Sequence, residues 1–422
     1  MTFGFRGSDE LPRRLGLIGI AAALLALASG SEIALWQSSV LGSYLAPRER
    51  VAETFYAALF SGIGLSLIIL SVLPRLASWL NTYVFFVVLL TIGLGIGSGI
   101  LKIDPYGSDN AAAIPYAAQL LLKGQNPYNT FVLADAVAQS GLPPEYVTRL
   151  QDGTQWTSYI YPAGSFLAVA PFLALGLSDL RFFYAACILA MIFFLYAHAA
   201  PQDRILLLAV VLSHHVFTKL FFAGGLPEPL WGLLVMGSWY YRRRVFLGAG
   251  LLGFAASAKQ LGAFFLPFYA VYVFRTKGRR TAIISFCIGL GVFALTNLPF
   301  ILGAPSEWFG SMVGVSMAPL PPQGTGLAIL ATEAGLGVPN AFYTLVSLVA
   351  LIASLTSLFF VPKGSLGLAW VLPLVPLWFS LRSLSSYFYL IPLFAIATFL
   401  EIQQSESRVP AGAVAVGTND LS

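Results

Sequence analysis

Charged residues are scarce in this 422-residue chain: Asp, Glu, Lys and Arg together make up 10 %, while 58 % of the residues are hydrophobic. Soluble domains carry roughly 25 % charge, so a water-soluble globular fold is excluded. Cysteine is nearly missing. Cys187 and Cys287 are the only two, and both stand inside apolar runs, which excludes a disulfide framework or a thiolate metal site and leaves them as small core residues. There is no internal repeat, no second water-soluble domain, and no Gly-rich phosphate loop at a strand–helix junction. The net charge of +5 comes from Arg and Lys clustered between apolar runs. That distribution orients a membrane protein and offers no basic face for nucleic acid.

What is present is hydrocarbon in lengths of about twenty residues, enough to cross roughly 30 Å of bilayer. The fold class expected is all-α, a polytopic membrane helix bundle of about eleven to thirteen spans, forming one transmembrane domain over 1–401 with a disordered cytoplasmic tail over 402–422. Arg13 and Arg14 precede an apolar run ending in Ala26-Leu27-Ala28, a pattern shared with signal peptides; it reads here as a retained first span. Spans are expected near 15–36, 54–74, 80–101, 159–177, 181–200, 204–223, 281–303, 340–361, 365–381 and 384–400. Arg6, Arg13, Arg14 and Arg75 fall on one side, read as cytoplasmic. The 102–158 loop is then external, and its acids Asp104, Asp109, Asp135, Glu145 and Asp152 outnumber Lys102, Lys123 and Arg149.

Gly224-Gly225-Leu226-Pro227-Glu228-Pro229 must interrupt any helix. The segments 229–241, 245–258 and 261–274 that follow are short, each reaching roughly 20 Å at 1.5 Å per residue, and short helices suggest a cavity. Arg242 to Arg244 precede the pair 245–274, and Arg275, Lys277, Arg279 and Arg280 follow it. The pair is therefore a hairpin with Lys259-Gln260 at its outer tip. The proline- and glycine-rich interval 304–338 and Arg382 fall outside, Lys363 inside. Counting simple crossings leaves the arginine triplet on the wrong side by one span, which a re-entrant or half-crossing pair within 178–241 would repair.

In the 102–158 loop Ser108 can cap a helix whose apolar positions Ile114, Ala118, Leu121 and Leu122 recur at helical spacing, with Gln119 and Lys123 off that stripe. The helix is expected to lie on the membrane surface. Gly124 and Asn126-Pro127 end it, because glycine suits the left-handed position after a helix and proline cannot continue one. Asp109 then has two readings. It is a first-turn acid favoured by the helix dipole, or an ionised carboxylate able to take a proton from a hydroxyl. Asp104, beside Pro105, is a turn residue or a rival base.

Other polar residues in apolar surroundings also carry two readings. Lys259 and Arg382 either extend to the interface or meet a phosphate, for which a guanidinium is bidentate. His214, His215 and Lys219 must face the bundle interior or water, with His215 and Lys219 on one helical face. Glu228 is the one acid that could join the histidines across a cavity, too weak a set for a metal site. Trp36, Trp79, Trp156 and Trp308 near span ends read as interfacial anchors, while Trp156, Tyr159 and Tyr161 also offer flat faces for stacking.

The spacing Asp109, Tyr116, Gly124, Asn126-Pro127-Tyr128, followed by Tyr161-Pro162 at the start of the next span, resembles the GT-C superfamily of membrane glycosyltransferases. It looks closest to the polyprenyl-phosphate-mannose-dependent mannosyltransferases. Similar phrases occur at Gly250–Lys259 and Asn297–Phe300. Where such sequences often carry Gly-Gln-x-Asn, this one has Gly225-Leu226-Pro227-Glu228, and Ala163 stands where a second proline is usual. The resemblance implies inverting transfer of a monosaccharide, mannose, from a polyprenyl phosphate to a lipid or glycan acceptor at the outer face of a prokaryotic cell membrane. Asp109 would be the base, Lys259 and Arg382 would hold the donor phosphate, and Asp104, Tyr116, Tyr128, Tyr161, His214, His215, Lys219, Glu228 and Gln260 would be substrate-binding candidates. No cofactor or metal is implied. A transporter or flippase of a lipid-linked sugar, and a non-catalytic subunit of a glycan-assembly complex, are the alternatives. A reporter fused after Pro127 is expected to be external; a cytoplasmic result overturns the topology.

Overall fold

The structure, a computed structural model, describes residues 108–200, 204–207, 224–314, 318–324 and 326–406. The spans expected near 15–36, 54–74 and 80–101, most of the one near 204–223, and Trp36, Trp79, Asp104, His214, His215 and Lys219 lie outside the described residues. Nearly everything described belongs to one compact unit, Gly95–His198 with Val216–Ser422.

The described chain is overwhelmingly helical. Nine helices exceed ten residues: α1 (Asp109–Leu122), α2 (Gly164–Ala174), α3 (Arg181–His198), α4 (Glu228–Tyr240), α5 (Val245–Ala258), α6 (Phe265–Lys277), α7 (Arg279–Gly303), α8 (Asn340–Phe360) and α9 (Ile391–Glu406). Among the described residues α3, α7 and α8 are long and apolar enough to cross a membrane.

The ends of α1 follow from its sequence. The Ser108 side chain accepts from the Ala111 N–H at 3.2 Å, and Gly124 takes φ +75° where the chain turns away. Asn126 then accepts from the Tyr128 N–H to start the turn Pro127–Thr130. The body of α1 differs from expectation. It is packed inside the protein, burying Ala111–Ala113, Ile114, Ala117, Ala118 and Leu120 against α2 and the turn Leu133–Gln139, while Leu122 is exposed. Its alanines let neighbours approach closely, so this helix packs as a wall of the protein.

The helices define two polar ends. α4 and α5 each span roughly 20 Å and connect the level of Glu228 and Lys259 to that of Arg242–Arg244. At the arginine end, buried Arg242 pairs with Glu401 of α9 and stacks on Trp239, and Arg275 donates to the Leu358, Phe359 and Val361 carbonyls at the end of α8. Cations at helix C-termini satisfy carbonyls that have no partner within the helix. The expected hairpin, with its arginine-flanked base and Lys259-Gln260 tip, is present as α5, a short turn Gln260–Ala263, and α6.

Several expectations require correction. The span expected near 159–177 is the 11-residue α2. Its start packs at Ser257, and its end places Phe172 4.8 Å from Phe183 in ring centroids. α3 runs parallel to α4: Cys187 and Leu233 line one groove, Phe194 stacks on Tyr240 at 4.5 Å and His198 meets Trp239 at 5.0 Å. The start of α3 is therefore level with Glu228, so both ends of α2 lie toward the Glu228–Lys259 side. Among the described residues, α2 thus turns back without reaching the arginine end. Second, residues 365–381 form no continuous helix. They traverse the bundle as short turns, Lys363–Trp370, Leu372–Leu374 and Val375–Trp378, broken by Pro373 and Pro376. Third, Trp308 is no interfacial anchor. It is buried, and its indole N–H donates to Asn297 Oδ1. Cys187 is buried as expected, but Cys287 is exposed on α7, and the final helix continues to Glu406, into the segment read as a disordered tail.

Asn297 ties distant segments together. Its Oδ1 accepts from the Ala163 N–H at 2.9 Å as well as from Trp308. Replacing it with alanine leaves two buried donors unmet and is expected to cost roughly 2–4 kcal/mol, read as a lowered unfolding temperature in detergent. Cys287→Ala, on the exposed face, serves as a control and should change stability by no more than about 0.5 kcal/mol.

Candidate functional site

The polar residues outside the arginine end gather where helices stop. Asp109 opens α1 and Glu228 opens α4, both at the positive end of a helix dipole; Lys259 closes α5, at a negative end. Each charge is thus placed where its helix stabilises it, and the local sequence explains why: Ser108 caps α1, Pro227 and Pro229 force α4 to begin at Glu228, and extended backbone at Lys259 ends α5.

Lys259 and Glu228 form a buried ion pair, Nζ to Oε1 at 2.5 Å, and Ser386 Oγ donates to the same oxygen at 3.1 Å. Glu228 is 0 % exposed and Lys259 5 %. The Lys259 ammonium lies 5.2 Å from the Tyr387 ring centroid and 5.7 Å from that of Tyr161, so two aromatic faces complete its surroundings. Arg382 donates to the Gln323 side chain, and the two residues are paired in a short parallel bridge, β1 (Gln323–Gly324) with β2 (Arg382–Ser383). Tyr387 lies within electrostatic reach of Lys259, Arg382 and Glu228 together. Tyr161 is likewise within reach of Asp109, Tyr387 and Glu228. Glu228, Lys259, Ser386, Tyr161 and Tyr387 therefore form one cluster, with Arg382 close by in the chain and Asp109 acting electrostatically on Tyr161.

Asp109 is held by a loop residue. Its Oδ2 accepts from the Thr148 hydroxyl at 2.5 Å and from the Thr148 N–H at 3.1 Å, while Oδ1 accepts from the Asn110 N–H at 2.7 Å. The carboxylate is part-buried and fixed in orientation. The loop itself is pinned from the other side, with Gln151 bonded to the carbonyls of Pro319 and Leu320.

The remaining candidates build walls. Tyr128 donates its hydroxyl to the Tyr161 carbonyl at 2.7 Å, and burial, followed by the nearby Tyr159, pushes its phenol well above the usual tyrosine range, so it remains a neutral donor. Tyr116 packs edge-on against Phe131, half-buried, its phenol raised by burial and then by Asp135. Gln260 donates to the Ile160 carbonyl. Asn126 and Asn129 donate to the Phe300 and Gly303 carbonyls at the end of α7. The segments around Asn126–Tyr128, Tyr161–Ala163 and Asn297–Phe300 are thus hydrogen-bonded to one another and frame the charged cluster.

Lys259 is therefore no free phosphate-binding cation: its partner is Glu228, which sequence reasoning had set against the histidines. Tyr387, Ser386, Gln323 and Thr148 were missed. For the first two a signal existed, the small polar run Ser383-Leu384-Ser385-Ser386 after Arg382 in an otherwise apolar stretch. Thr148 carried none, lying 39 residues from Asp109 in irregular chain.

Removing one partner of the buried pair should be costly. Lys259→Met is expected to lower stability by about 3–5 kcal/mol, and Lys259→Met combined with Glu228→Gln to restore most of it, measured by thermal unfolding in detergent. Equal stability of the single variant and the parent would contradict the pairing. Compared with known proteins, the chain matches no family profile, no curated sequence and no solved structure.

Proposed function

We propose that this protein is an integral, multi-pass membrane glycosyltransferase of the GT-C type, transferring a monosaccharide, mannose on the sequence resemblance, from a polyprenyl phosphate to a lipid or glycan hydroxyl at the outer face of a prokaryotic cell membrane. The observation that carries this reading is the gathering of a fixed carboxylate, Asp109, with the cationic and aromatic groups Lys259, Arg382, Tyr161 and Tyr387 at helix ends. Their depth agrees with it. Lys259 stands roughly 20 Å from the arginine end, whereas α7 extends over roughly 37 Å, so the cluster is recessed below the far end of the longest helix. A lipid-borne headgroup reaches such a depth without leaving the membrane.

In this reaction the acceptor oxygen attacks the anomeric carbon from the face opposite the phosphate. The new C–O bond forms as the bond to the phosphate oxygen breaks, the acceptor proton passes to Asp109, and polyprenyl phosphate leaves. The Thr148 hydroxyl and N–H hold the Asp109 carboxylate in one orientation. Charge developing on the leaving phosphate is met by the Arg382 guanidinium, with the Lys259–Glu228 pair adjoining.

The half-crossing α2 and the interrupted chain before α4 also favour a second reading, a transporter or flippase of a lipid-linked sugar, since broken helices around a buried polar site are common there. An assay with purified protein and radiolabelled polyprenyl-phosphate mannose separates the two. Transfer to an acceptor is expected from the parent, with Asp109→Asn slower by about 10²–10⁴-fold. Transfer at the parent rate in Asp109→Asn would refute the base assignment, and lipid translocation without transfer would favour the transporter.

A further inference from the structure

The ion pair leaves one of its own atoms unmet. Oε1 of Glu228 accepts from both Lys259 and Ser386, but Oε2, equally buried, has no hydrogen-bond partner among the described residues. A buried carboxylate oxygen without a donor is costly, and the native exceptions usually serve something. Arg382 shows the complementary feature: one of its nitrogens binds Gln323, while its Nε–H is buried and has no partner among the described residues. Asn110 Oδ1, beside Asp109, is a further buried acceptor with no donor among the described residues. Glu228 and Arg382 are brought together by the chain after Arg382: Ser386 bonds Glu228, and the next residue, Tyr387, has its ring centroid 5.2 Å from the Lys259 ammonium.

These orphan atoms describe a ligand by complement. The acceptors call for hydroxyl donors, and the cationic donor calls for an anionic oxygen. A glycosyl phosphate carries both, on adjacent groups. A free inorganic anion would satisfy Arg382 but give Glu228 nothing except repulsion, and an apolar chain would satisfy neither. Resting on the function proposed above, we propose that Glu228 determines which sugar is accepted: its Oε2 takes a hydrogen bond from one ring hydroxyl of the donor glycosyl group, while Arg382 Nε binds the phosphate. Lys259 is then a positioning residue. It holds Oε1 and leaves Oε2 for the sugar.

The reading fits the break in the chain. Pro227 and Pro229 fix where α4 begins, so Glu228 stands at the first helical position with little freedom to swing. A rigid, charged acceptor discriminates between hydroxyl configurations better than a mobile one, since a misplaced hydroxyl leaves both partners unmet.

The test uses the intact protein and a series of polyprenyl-phosphate mannoses, each lacking a single hydroxyl, with bare polyprenyl phosphate as the reference. In the parent, loss of one hydroxyl should weaken binding about tenfold, the worth of one charge-assisted hydrogen bond, while the others change it little. In Glu228→Gln that hydroxyl preference should collapse to within about twofold. If this variant fails to fold, Glu228→Gln with Lys259→Gln, which removes both charges and keeps the hydrogen-bonding shape, gives the same readout. A flat hydroxyl profile in a parent that binds bare polyprenyl phosphate overturns the role of Glu228 and leaves the proposed function standing, as does an unchanged preference in either variant. A parent that binds neither the bare lipid phosphate nor any sugar form overturns the proposed function, and this inference with it.

Discussion

A lysine and a glutamate inside a hydrophobic bundle are tolerable only together. Taking either ion out of water costs several kcal/mol, and the pair recovers this when the geometry is close and further hydrogen bonds are made. At Lys259 and Glu228 the conditions are met by the helices themselves: α4 begins at the acid, α5 ends at the base, and the two dipole ends favour the two charges in place. Ser386 and the faces of Tyr161 and Tyr387 complete the shell. The relative placement of α4, α5 and the segment before α9 is thereby fixed at one depth, and the surrounding site takes its position from that contact.

The opposite end of the bundle repeats the logic with arginine. Arg242 meets Glu401, and Arg275 caps α8 through three carbonyls. Two polar layers thus bound an apolar interior, joined by helices too short to cross a bilayer unaided. Short helices leave the upper layer recessed, and the longer α7 and α8 with the loops around 144–160 and 318–324 stand around it. A membrane enzyme or carrier handling a headgroup gains from this arrangement, because polar chemistry proceeds in a dry place where fixed charges act strongly.

Precision in the site comes from residues with no chemistry of their own. Asn297 holds the chain just after Tyr161-Pro162, Tyr128 holds the Tyr161 carbonyl, and Asn126 and Asn129 hold the end of α7. Buried hydrogen bonds of this kind are worth little each, but leaving one partner unmet is expensive, so together they permit one arrangement. Thr148 does the same for Asp109.

By itself the sequence determined the apolar, all-helical character, the ends of α1, the break before Glu228, the short helices after it and the arginine-rich base of the hairpin, because hydropathy, caps and proline act within a turn or two of chain. Tertiary structure decided that α2 turns back without reaching the arginine end, that α1 packs as a wall of the protein, that Trp308 is buried on Asn297, and that Lys259 is paired with Glu228. Those partners are separated by 31, 39 and 134 residues in the pairs Lys259–Glu228, Thr148–Asp109 and Ala163–Asn297. Hydropathy records that a segment avoids water and says nothing of which neighbour it meets. That choice is made by packing, and packing brings these polar groups together.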